Sequence, residues 1–296
     1  MQAGVQELMK TEYKTIEVVP ISREVGAEIS GVDIAAGISE KQFTEVRQAF
    51  IDYGVIFFRD QELSPDQHIE FARRWGEINV NRFFQPVKSH PIIAEVRKDP
   101  DQETNIGAAW HTDHSYDQIP AMGSILYARE VPKLGGDTLF SSMYAACEGL
   151  SDAMRKTLMS LRAEHSSRHV FGESALEDQD RDDLAGRFQN AAAATQDSVH
   201  PVIIRHPLSG RPSLYVNADF TVKFEGWSKD ESQPLLDFLY QHARQNEFTC
   251  RFQWKKGSMA IWDNRATHHY AMNDYPGELR LMHRITIEGE ALGAAV

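Results

Sequence analysis

Two histidines and two aspartates fall within ten residues at Ala108 to Asp117, AAWHTDHSYD, and the chain has no comparable patch until near its end. On an extended segment alternate side chains share a face with Cβ atoms roughly 6–7 Å apart, so His111 and Asp113 can offer one imidazole nitrogen and one carboxylate oxygen to a single cation. His114 then points the other way. A third ligand must come from elsewhere, and the second patch, Trp262 to Tyr275, WDNRATHHYAMNDY, supplies candidates about 150 residues downstream. On a strand His268 and His269 cannot both face one ion; one of them turns away. Two histidines and a carboxylate on one side of a metal leave positions open for reactants, which suits a non-haem iron(II) that activates oxygen. Zinc takes the same ligands, so a zinc hydrolase is a competing chemistry, and a non-catalytic binding protein on the same scaffold is a third reading.

The stretch RLMHRIT adds a second constraint. Alternation puts Arg280, Met282, Arg284 and Thr286 on one face and Leu281, His283 and Ile285 on the other. Two inward guanidiniums are costly unless they meet anions, and four residues along a strand separate them by roughly 13 Å, so two distinct anionic groups are implied. The structural alternative is that both pair with Asp or Glu of neighbouring strands.

The elements that must position these residues are written in helix caps and short strands. Ser39 with Gln42, Ser64 with Pro65 and Gln67, and Ser228 with Glu231 each spell a helix start. The first helix carries Phe43, Val46, Phe50 and Tyr53 on one face, ends at Gly54, and has Ile38 and Phe43 placed as a hydrophobic staple. TIEVV, GVIFF, SILYA, PVIIRH, SLYVN, FTCRFQW, MAIWD and LMHRITI read as strands bounded by turn residues. No regular strand–helix alternation and no G-x-G-x-x-G after a strand is present, which disfavours a doubly wound nucleotide-binding fold. A mostly β sandwich or barrel with flanking helices is expected, as a single domain over residues 1–296.

Composition narrows the class further. The 296 residues carry a net charge of −12, which argues against sequence-independent nucleic-acid binding. Cys147 and Cys250 form no C-x-x-C, and no run of about 18 apolar residues marks a membrane span. The N-terminus lacks the apolar core of a signal peptide, so a cytoplasmic protein is expected, with residues 1–12 flexible. Residues 173–196, acidic and then alanine-rich, read either as a solvated insertion or as a lid over a site.

Taken together, VGAEISGVD, GVIFFRDQ, WHTD, GGDTLF, HPVIIRHPLSGRPSLYVN, WDNRATHHYA and RLMHRIT resemble, in order and spacing, the iron(II)- and 2-oxoglutarate-dependent dioxygenases of the taurine dioxygenase and aryloxyacetate dioxygenase (TauD/TfdA) family. The resemblance implies a double-stranded β-helix, a cupin-like jelly roll, and iron(II), 2-oxoglutarate and O2 as the reaction's needs. It implies His111, Asp113 and His269 as metal ligands, with His268 in the variable slot before the last. It also implies Thr138 and Arg280 as partners of 2-oxoglutarate, and Arg284 as the grip on the substrate's anion. His114 and Asp117 fall outside the set. Related halogenases lack the carboxylate, so Asp113 implies hydroxylation.

The pocket positions depart from taurine dioxygenase. Where that enzyme has a histidine and a tyrosine three residues apart, this chain has Asn81 and Phe84; its amine-contacting asparagine aligns near Gly107; Phe220 keeps an aromatic wall. A larger, more apolar anion than taurine follows. HSSRHVFG and FTCRFQWKK resemble the aryloxypropionate branch, so an aryloxyalkanoate or other carboxylate is the leading expectation and an alkyl sulfate or sulfonate the second. Arg168 and His169 read as a surface helix end. A small anionic organic substrate, no nucleic acid, no membrane and a dimer or tetramer complete the expectations.

Overall fold

A computed structural model of the chain describes residues 11–173 and 187–295. Its organising element is a nine-stranded sheet with the order Glu17–Pro20, Ala27–Ser30, Val55–Phe58, Met259–Asp263, Gly123–Glu130, Arg280–Ile287, His90–Lys98 and Pro86–Val87; Ile78–Asn79 pairs off this path on Arg280–Ile287. Every pairing is antiparallel except Ala27–Ser30 with Val55–Phe58. A three-stranded sheet, Thr249–Phe252, Thr138–Ser142 and Thr267–Ala271, closes over one face. Together they form the double-stranded β-helix that the resemblance implied.

Strand alternation explains why the layers form. Ile56, Phe58, Ile125, Tyr127, Met259, Ile261, Ile285 and Ile287 turn outward into one apolar cluster under helices α1 (Glu40–Tyr53) and α2 (Pro65–Arg73). Their neighbours Val55, Phe57, Leu126, Ala128, Ala260, Trp262 and Met282 turn inward and meet Phe140, Cys250 and Phe252 of the smaller sheet. A one-residue slip would exchange the two faces, so register is fixed wherever both are buried. The alternation expected for RLMHRIT holds: Arg280, Met282 and Arg284 face inward with the smaller sheet.

All three capping boxes expected at Ser39, Ser64 and Ser228 are formed, and α1 ends on Gly54 at φ 71°. Ile38 and Phe43 are both buried in the cluster beneath α1. PVIIRH is divided between Asp197–Pro201 and Ile203–Arg205, and only the start of SLYVN is strand, within Pro212–Leu214. Three residues beyond that strand, the Asn217 backbone N–H donates to Thr221 Oγ1 at 2.9 Å and its side-chain Oδ1 accepts from the Phe220 N–H in a turn. The segment 173–196, read either as a solvated insertion or as a lid, lies mostly outside the described residues, as do residues 1–10. Its return passes through Arg187 and Phe188 to a 3-10 turn at Ala191–Ala193. Arg168 is exposed and paired with Asp197 at 3.0 Å. Both cysteines are free and buried, and among the described residues no helix is long and apolar enough to cross a membrane.

Candidate active site

The two sequence patches meet backbone to backbone. His111 N–H donates to the His269 carbonyl at 3.1 Å and His269 N–H to the His111 carbonyl at 2.8 Å, an isolated antiparallel bridge. The chain then turns sharply: Thr112 Oγ1 donates to Asn264 O, and His114 sits at φ 60°. Asp113 is thereby folded back towards both rings. Its Oδ1 lies 3.7 Å from His111 Nε2 and its Oδ2 3.8 Å from His269 Nε2. One ligand atom from each of the three residues falls within 4.8 Å of the others, and all three residues are buried. His268 faces away from this point, as strand alternation requires.

Burial alone would raise the Asp113 carboxyl, but the Arg284 guanidinium, then His269 and His111, hold it well below the usual carboxylate range. Burial, followed by repulsion from His111, pushes His269 far below an ordinary histidine, so its ring is neutral with a lone pair to offer. A buried carboxylate beside two buried imidazoles is a donor set that fits a divalent cation of the first transition row.

Both arginines of the strand Arg280–Ile287 are buried and line the same cavity of about 290 Å³. Arg284 Nη2 lies 2.9 Å from Asp113 Oδ2 without hydrogen-bond alignment, so its Nε and Nη2 still lack acceptors. Arg280 donates through Nε to the Gly136 carbonyl at 3.2 Å and has no ion-pair partner among the described residues. Burial pushes its guanidinium below its ordinary value. An unpaired buried guanidinium is expensive, which makes this end of the cavity a place for an anion. Thr138 lines the same cavity, its Oγ1 accepting from Trp254 Nε1 at 2.9 Å and its hydroxyl proton left to give.

The remaining expected residues also line the cavity, with unequal freedom. Asn81 Oδ1 accepts from the backbone N–H groups of Phe83 and Phe84, both at 2.9 Å, so only its amide nitrogen is left for a ligand. Phe84 lies over the Arg284 guanidinium at 5.6 Å, and Phe220 meets the His111 ring edge-on at 6.2 Å. The sequence reading left out Tyr116, Phe171 and Phe188, which complete the aromatic wall, and Asp219, which stands at its edge. Phe171 precedes the acidic and alanine-rich segment and Phe188 lies within it, and no periodicity marked them. His114, set aside at first, also lines the cavity; its Nδ1 lies 2.9 Å from Asp117 Oδ2, and Asp117 Oδ1 takes Arg82 at 2.6 Å.

Comparison with known proteins bears on this arrangement. A family model described as "Taurine catabolism dioxygenase TauD, TfdA family" matches residues 17–286. An alpha-ketoglutarate-dependent sulfate ester dioxygenase of Pseudomonas putida is 32% identical over 276 residues, covering 93% of this chain and 90% of that protein. The crystal structure of a taurine dioxygenase from Burkholderia xenovorans superposes with a TM-score of 0.80 at 31% identity, over 95% of this chain and 93% of the other. That of AAD-2, in complex with Mn(II) and N-oxalylglycine, does so with a TM-score of 0.77 at 26% identity, over 95% and 100% of the two chains.

Proposed function

The chain belongs to the TauD/TfdA family of 2-oxoglutarate-dependent dioxygenases, and from that premise we propose that it oxidises a small organosulfur anion, a sulfate ester before a sulfonate, at an iron(II) held by His111, Asp113 and His269. The observation that carries this reading is the meeting, in one cavity, of the His–Asp–His donor set with two buried guanidiniums of a single strand. A zinc hydrolase on the same three ligands would leave Arg280 without a purpose.

Iron(II) so held supplies oxygen activation, coupled to decarboxylation of 2-oxoglutarate, that places an oxygen atom in a C–H bond. The chain's own groups place the reactants. Arg280 takes the far carboxylate of 2-oxoglutarate through paired N–H donors, and the Thr138 hydroxyl donates to the same group. Arg284, with donors unspent, takes the sulfate or sulfonate. Phe84, Phe171 and Phe188 pack against the organic part and keep water from the reacting carbon. Hydroxylation of the carbon that bears a sulfate ester gives a geminal hydroxy sulfate. Its C–O bond to sulfate then breaks, leaving an aldehyde, free sulfate and a proton.

The aryloxyalkanoate favoured from the pocket residues gives way here to the second expected class. Both the sulfate ester dioxygenase and the taurine dioxygenase are named for organosulfur compounds and align over nearly the whole chain. An apolar aromatic wall serves an alkyl chain as well as an aryl ring.

The deciding experiment is to incubate the protein with iron(II), 2-oxoglutarate and air, and to follow succinate and inorganic sulfate across alkyl sulfates, alkanesulfonates and aryloxy acids. The expected result is one succinate per sulfate from a sulfate ester, lost when oxygen or 2-oxoglutarate is left out. Consumption of aryloxy acids alone would overturn the substrate class, and sulfate release without oxygen would overturn the mechanism.

A further inference from the structure

We infer that Asp219 is a positioning residue for the metal site: its carboxylate holds the outer nitrogen of His111 and strengthens that histidine's hold on a divalent cation. The inference rests on the ligand set proposed above and adds a group outside it.

Asp219 Oδ2 lies 3.6 Å from His111 Nδ1, which is also 2.8 Å from the Ala109 carbonyl. A carbonyl only accepts, so Nδ1 carries the hydrogen and Nε2 turns its lone pair towards Asp113 and the cation. A cation on Nε2 draws electron density out of the ring and makes the N–H at Nδ1 more positive. A neighbouring carboxylate stabilises that change more than a carbonyl does, because it carries a full charge.

Asp219 has little else to do. Its side chain is 25% exposed at the edge of an aromatic cavity, and His111 is the one group in ion-pair reach among the described residues. It is also held firmly. The Asp219 carbonyl accepts from His169 Nε2 at 2.5 Å, Asn217 Oδ1 accepts from Phe220 N–H at 3.0 Å, and Asn217 Nδ2 donates to Ser115 Oγ at 3.0 Å. The same short loop thus sets the Phe220 ring against His111 and the Asp219 carboxylate against its Nδ1. His269 differs: its Nδ1 is buried with no hydrogen-bond partner. Of the two imidazoles, His111 is the one whose direction is fixed from behind.

The test is an anaerobic cobalt(II) titration of the full chain, read by the visible d–d absorption, on wild type, Asp219→Asn and Asp219→Glu. Replacing an outer partner of this kind typically weakens metal binding about 10- to 100-fold. Asp219→Asn should show such a loss, Asp219→Glu should recover most of it, and thermal midpoints of the metal-free proteins should agree. Equal cobalt affinity in wild type and Asp219→Asn would overturn the inference, as would a loss matched by a lower metal-free midpoint. If Asp219→Asn binds cobalt normally but loses affinity for the organic substrate, the carboxylate serves the substrate and the inference fails. Failure of wild type itself to bind cobalt would instead sink the ligand assignment.

Discussion

Arg280 and Arg284 lie on one strand four residues apart, and under the proposed function they meet different anions, so their substitutions should separate. Arg280→Ala leaves the far carboxylate of 2-oxoglutarate without its charge partner. Losing such a pair costs about 2–5 kcal/mol, or roughly 30-fold and more in affinity. Steady-state kinetics should show that rise in the KM for 2-oxoglutarate with the organic substrate little affected. Arg284→Gln should do the reverse; a common loss for both ligands would show that the two sites are not distinct. Local alternation made the two arginines and the His111–Asp113 pair legible in the sequence, whereas the choice of His269 over His268 came from the family resemblance. The sequence did not reveal Asp219, Phe171 or Phe188. Asp219 and Phe188 come from loops and Phe171 from a single-turn helix, Arg168–Phe171, segments too short for a period to relate a side chain to a face, and their direction is set by partners distant in sequence, such as Asn217 with Ser115.

Among the elements, α2 carries the clearest consequence of burial. His68 on its inner face is buried near His283 of the adjacent strand, and burial, then repulsion from His283, pushes it down to about 3. Burial likewise lowers His283 to about 4. Both are neutral in the folded protein and near 6.5 when unfolded, so between those values the unfolded chain binds more protons and stability falls as pH falls. The loss begins near pH 6.5 and runs to about 4 for His283 and 3 for His68, at about 1.4 kcal/mol per pH unit for each fully titrating group. Denaturant midpoints from pH 7 to pH 4.5 should therefore drop steeply, and His68→Leu should flatten the slope. An unchanged slope would place the acid sensitivity elsewhere. The helix starts were the most legible elements, because a cap and its partner three residues on are a complete local device. The nine-residue strand His90–Lys98 was missed although it pairs with Arg280–Ile287. Its Pro91 and its mixture of Glu95, Arg97 and Lys98 interrupt the apolar run that marks a strand, and tertiary pairing with Arg280–Ile287 holds it as one.

For the molecule as a whole, a cation would join parts of the chain that lie more than 150 residues apart, since His111 and Asp113 precede His269 by that distance. A ligand that binds only the folded state stabilises it by about 2.7 kcal/mol at one hundred times its dissociation constant. Anaerobic thermal melts should rise with added manganese(II) in wild type and stay flat in His111→Ala. A rise in both would place the ion at another site. The architecture itself was legible as strands with covering helices, because strands buried on both faces, such as Val55–Phe58 and Met259–Asp263, read as short apolar runs bounded by turn residues. The strand order was not, since Val55–Phe58 could have paired with either of its present neighbours, Ala27–Ser30 or Met259–Asp263, or with others.

The paired backbone hydrogen bonds between residues 111 and 269 act as a rung shared by both ends of the chemistry. Shifting one histidine drags the other, so their spacing survives changes in the long excursion between them. Most of the aromatic wall, Tyr116, Phe171, Phe188 and Phe220, hangs from that excursion, not from the rung. Descent with modification can therefore rewrite what the enzyme accepts, through insertions and swapped side chains, while the catalytic core is inherited intact.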